Sequence, residues 1–122
     1  MNNERKELTI RPEGLIEILE SHLTAKHNQP IKVKQTLKVC KPGYHEDDDT
    51  RVDLSYMLNG EKKYLFLYDV IDIVKETIDE NYEVFRYYFI TDVTPDKKPI
   101  YKGLHLDLVE KQMKLTKKPN EE

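Results

Sequence analysis

The chain has 122 residues, 38% of them hydrophobic and 35% charged, with a formal net charge of −3 and a pI near 5.8. That length suits one domain with one core, the patterned apolar residues exclude a disordered chain, and the acidic balance excludes a basic field for non-specific nucleic-acid binding. Cys40 is the only cysteine, so no intramolecular disulfide forms, and no apolar run reaches the length of a signal-peptide core or membrane span.

A cytosolic setting is therefore expected, with no membrane partner. The Lys-, Glu- and Ile-rich, Trp-free composition suits a bacterial or phage origin.

Residues 1–10 read as a charged lead-in with a short edge strand at Leu8 to Ile10. From Pro12 the spacing of Leu15, Ile16, Leu19 and Leu23 predicts a helix with one buried stripe, and Glu13, Glu17 and Glu20 lie outside it. Pro12 suits the first turn, and His27-Asn28 before Pro30 marks the end.

Ile31, Val33, Leu37 and Val39 then alternate with Lys32, Lys34, Thr36 and Lys38, a half-exposed strand with a lysine row outside. Such a row reads first as protection of an edge strand against aggregation, with phosphate binding as the second reading. A loop from Lys41 to Thr50 follows. Asn59-Gly60 between Arg51–Leu58 and Glu61–Tyr68 predicts a type I′ hairpin, because that turn needs two positive φ angles. The register sets Leu54 against Leu65 and Val52 against Leu67, and it leaves Tyr64, Phe66 and Tyr68 on the other face with Asp53, Ser55 and Met57.

A second helix is expected over Asp69 to Asn81, capped by Asp69 and striped by Val70, Ile71, Val74 and Ile78. Tyr82 to Val93 and Ile100 to Val109 form a second hairpin across residues 94–98. In one register Val84, Tyr88 and Ile90 share a face with Ile100, Leu104, Leu106 and Leu108. Phe85, Tyr87 and Phe89 then share theirs with Tyr101, His105 and Asp107. Residues 111–122 are a polar tail, expected to be flexible.

The fold class is thus α+β over residues 1–110, in the order α-β-β-β-α-β-β. About five strands form one mainly antiparallel sheet with two helices on one face. Across residues 12–81 the order helix, strand, strand, strand, helix resembles that of a double-stranded-RNA-binding domain. Such domains carry a lysine cluster at the start of the second helix. Here that place reads Asp69-Val70-Ile71-Asp72, which repels phosphate, so RNA binding is not carried over.

Chemistry is sparsely signalled. The run His45-Glu46-Asp47-Asp48-Asp49 beside Cys40 offers oxygens for a hard cation, but it lacks the alternating ligands and glycine of a calcium loop and the ligand count of a zinc site. It reads as a solvated acidic loop. His105-x-Asp107 puts an imidazole and a carboxylate on one strand face, as a general base needs, but no nucleophile completes the set. His22 borders the first helix's stripe and reads as half-buried packing. Four isolated glycines exclude a phosphate-binding loop. No cofactor, metal or catalytic residue is expected.

What stands out is aromatic surface. Tyr64, Phe66, Tyr68, Phe85, Tyr87, Phe89 and Tyr101 suit a contact face for a protein partner or a second copy of the chain. A small adaptor or inhibitor fits these features, with the acidic loop able to mimic phosphates or meet a basic partner. The alternative is a nucleic-acid or nucleotide-like ligand stacked on the aromatic face with Lys32, Lys34 and Lys38 on its phosphates. An enzyme resting on His45 or His105 ranks last.

Overall fold

Residues 4–41 and 47–111 are described by a computed structural model. The elements run β1 (Arg5–Ile10), α1 (Pro12–His27), β2 (Val33–Cys40), β3 (Asp49–Leu58), β4 (Glu61–Leu65), α2 (Leu67–Val74), β5 (Tyr82–Val93) and β6 (Pro99–Glu110). A single 3₁₀ turn, Lys75–Thr77, extends α2.

The α+β class holds, with two helices and six strands among the described residues. These strands form two antiparallel three-stranded sheets, ordered β1-β6-β5 and β2-β3-β4, where one sheet was expected. β6 takes the middle of the first sheet, with β1 on one side and β5 on the other, and the first hairpin pairs with β2 instead. The lead-in strand is correspondingly longer than expected.

Helix α1 begins with Pro12 in its first turn and ends at Asn28, whose φ of 55° is the left-handed C-terminal stop. Its polar side chains tie down the connection that follows. Thr24 Oγ1 accepts from Ile31 N at 3.1 Å, and Glu20 Oε2 accepts from Val33 N at 2.8 Å. Leu15, Leu19 and Leu23 are buried against Val33 and Leu54, the α2 residues Val70, Ile71, Ile73 and Val74, and the β6 residues Leu104, Leu106 and Leu108. The core therefore lies among the two helices and one face of each sheet.

The Asn59-Gly60 turn has the expected positive φ angles, 52° and 82°, and Leu54 pairs with Leu65 as anticipated. The strand then stops early. Phe66 is the N-cap of α2 and Tyr68 sits in its first turn, so Leu67 never pairs with Val52. Asp69 still caps the helix, from the third position, its Oδ2 accepting from Phe66 N at 2.9 Å. That bond starts α2 two residues before the expected Asp69.

The second hairpin corrects the expected register. A bulge at Phe85 separates Val84, opposite Leu108, from Arg86, opposite Asp107. Tyr87 and Phe89 consequently stand beside Leu106 and Leu104, Phe89 packing on the core and Tyr87 staying exposed, while Arg86 and Tyr88 stand with Asp107 and His105 on the outer face. A second irregularity leaves Lys102 unpaired between Tyr101 and Gly103. Gly103 has φ 122°, and a Cβ there would collide with the Ile10 carbonyl oxygen.

Candidate functional site

The aromatic residues divide between two places. At the β4–α2 corner Tyr64, Phe66 and Tyr68 are 58%, 58% and 61% exposed, and the rings of Phe66 and Tyr68 stack with centroids 5.7 Å apart. They do not share one strand face, because only Tyr64 is in a strand. On β5, Phe85 and Tyr87 are exposed, but Phe89 and Tyr101 meet edge to face at 5.6 Å, and Phe89 packs on the core. The structure therefore brings together the first three and separates the other four from them.

Behind Tyr64 lies the outer face of the second sheet. Cross-strand pairing sets Lys34, Ser55 and Tyr64 in one row and Lys38 beside Arg51. The Lys62 ammonium sits 5.3 Å from the Tyr64 ring centre. Lys32 is exposed just before β2, so the lysine row expected from sequence gains Arg51 and Lys62. Asp53 offsets part of this charge, its Oδ1 accepting from Arg51 Nε at 2.9 Å.

The outer face of the first sheet carries a different set. Asp107 on the central strand lies between Glu7 of β1 and Arg86 of β5, and the next outward residue, His105, lies between Thr9 and Tyr88. His105 and Asp107 are only 8% and 7% exposed, because these flanking side chains close over them. A carboxylate can only accept, so His105 Nε2 donates to Asp107 Oδ1, at 2.9 Å. Arg86 Nε donates to Oδ2 at 2.7 Å. The Tyr88 ring stacks on His105 at 4.9 Å, and Glu7 Oε1 stands 3.9 Å from the same His105 nitrogen.

The His105 N–H, and after it the Arg86 guanidinium, hold the Asp107 carboxyl below the usual carboxylate range, against the opposing effect of burial. Beside the pair is a shallow cleft of about 300 Å³ lined by Arg5, Lys6, Glu7, Phe85, Arg86 and Asp107. The Arg5 guanidinium lies 5.0 Å from the Phe85 ring centre.

Of the acidic run, His45 and Glu46 lie outside the described residues. Asp48 pairs within the chain, with Lys97 and, at 3.8 Å, with Lys41 Nζ. Asp49 accepts from Thr91 Oγ1 at 3.0 Å. Both aspartates thus fasten β3 to the β5–β6 hairpin, and Asp47 alone of the three is exposed. His22 is half-buried, as expected, with Nδ1 3.4 Å from Glu76 Oε1.

Sequence reasoning missed Glu7 and Arg86. Glu7 lay in a segment read as a lead-in, and Arg86 reaches Asp107 only because of the bulge. No sequence signal marked the bulge: without it Phe85 would stand opposite Asp107, and the burial of that carboxylate shows only in the fold. No described helix is long and apolar enough to cross a membrane. No protein-family model, curated protein or solved structure matches the chain.

Proposed function

We propose that the chain is a small interaction protein that binds a protein partner through the β4–α2 corner. The observation that carries this reading is the exposure of Tyr64, Phe66 and Tyr68 within five consecutive residues, each more than half open. Exposed apolar surface in one place is the mark of a contact site, and tyrosine tolerates the partly wet rim of such a site. Edge strand β4 adds backbone groups that pair with no other described strand. The acidic side chains Glu61, Asp69 and Asp72 nearby favour a protein surface over a nucleic-acid backbone.

The triple variant Tyr64→Ala, Phe66→Ala, Tyr68→Ala tests this. A partner co-purified from the native host and then titrated pairwise should lose at least about a hundredfold in affinity, since buried aromatic anchors contribute on the order of 2 kcal/mol each. The circular-dichroism spectrum should be unchanged, because none of the three rings belongs to the buried core. Unchanged affinity would end the reading. Mass in solution separates a foreign partner from a second copy of the chain.

One observation favours a second reading. The row Lys34–Ser55–Tyr64, with Lys38, Arg51 and Lys62 around it, sets cations beside an exposed ring on an open sheet face. Single-stranded nucleic acid binds such platforms, with affinity that falls steeply as salt rises. Binding of an oligonucleotide at low salt, weakened by Lys34→Ala, would favour it over the protein partner.

A further inference from the structure

The geometry points to a binding site for a divalent first-row transition ion, zinc above all, formed by Glu7, His105 and Asp107 on the outer face of the first sheet. Their donor atoms, one from each side chain, all lie within 4.8 Å of one another. Two measured separations, 2.9 Å from His105 Nε2 to Asp107 Oδ1 and 3.9 Å to Glu7 Oε1, bracket the spacing of neighbouring ligands around an ion. Bonds of about 2.0–2.2 Å put adjacent donors roughly 3–3.5 Å apart. An ion takes the place of the proton between His105 and Asp107, so these two donors part slightly, and Glu7, with its side chain 76% exposed on an edge strand, swings in to complete the set.

Three further points favour an ion here. A single N–H on His105 can satisfy one of the two carboxylates facing it, whereas a cation satisfies both. The second oxygen of Asp107 is already held by Arg86, which leaves Oδ1, bonded to His105 Nε2 until an ion displaces that proton, as the ligand and fixes its direction. An outer hydrogen bond of this kind is the usual support of a metal-bound carboxylate. The imidazole selects zinc and its neighbours over calcium and magnesium, which prefer oxygen throughout. Binding requires the tautomer of His105 with its proton on Nδ1, and water or an anionic group completes the shell.

Isothermal titration of the full chain with zinc chloride tests the site. The wild type should bind one equivalent with a rise in melting temperature. Glu7→Gln, on an exposed edge strand and safe for folding, should weaken the affinity at least tenfold and abolish most of that rise. His105→Gln should remove binding, and His45→Ala should leave it unchanged. Absence of zinc binding by the wild type would overturn the assignment. So would equal binding by Glu7→Gln, or loss of binding in His45→Ala.

Discussion

Tyr101 shows how a residue's environment reverses a reading made from its type. In the sequence it joined the contact aromatics; in the structure it meets Phe89 edge to face, and its hydroxyl is buried with no hydrogen-bond partner among the described residues. Burial pushes the phenol up to about 12. Below pH 10 both folded and unfolded chains keep the proton and this group leaves stability unaffected. Between pH 10 and about 12 the unfolded chain ionises first, so stability falls. Tyr82, raised to about 12 chiefly by its hydrogen bond to Glu4, adds to the same loss. Tyr101→Phe should therefore raise stability at pH 7 by about 1 kcal/mol, since an unpaired buried hydroxyl is removed. It should also shrink, without abolishing, the drop between pH 9 and 11.5 seen by urea denaturation. Loss of stability at pH 7 would show that the hydroxyl has a partner after all.

At the scale of elements, regular patterns were legible and interruptions were not. The 3.6-residue stripe of α1 and the Asn59-Gly60 turn follow from local chemistry alone, and both form as read. The ending of β4 at Leu65 was hidden because Tyr64, Phe66 and Tyr68 alternate with leucines as a strand would. It takes the Asp69 side chain, reaching back to Phe66 N, to turn the chain into a helix there. The bulge at Phe85 was hidden for a similar reason: one extra residue changes no composition but exchanges the faces of everything after it. Gly103 is the other element-level constraint. Any side chain there meets the Ile10 carbonyl where β1 passes into α1, on top of an unfavourable φ. Gly103→Ala should cost about 3 kcal/mol or more, read as a lower urea midpoint, whereas the exposed Gly60→Ala should cost about 1 kcal/mol for its positive φ alone. Similar losses at the two positions would mean that the β1–β6 approach is loose.

At the scale of the molecule, the two sheets are joined where β3 begins. Thr50 Oγ1 donates to the Asp92 carbonyl at 2.5 Å and accepts from Ile100 N at 3.1 Å, and Asp48 reaches Lys97 and Lys41 beside it. The ammonium of Lys97 holds the Asp48 carboxyl below its usual range, as His105 and Arg86 hold Asp107. Both carboxyls are depressed in the fold, so their contribution is complete above the ordinary carboxylate range and is lost as pH falls below it through the lowered folded values. Thermal melts should accordingly fall below about pH 4. Asp48→Asn should melt lower than the wild type at pH 7 and converge with it in acid; a constant gap at every pH would contradict the assignment. The division into two sheets was not legible because it depends on which strand takes the middle place, and pairing between distant segments leaves no local mark. That middle place also orders events in time. Leu8 has no strand to pair with until Leu106 has been made, and Glu7 has no Asp107. A nascent chain can complete the β2–β3–β4 sheet before β6 has been made, but β1 must wait unpaired until β6 follows. Such long-range closure is slow. The step most exposed to misassembly is thus the insertion of β6, and a chaperone would find the open partners of β6 rather than the finished surface.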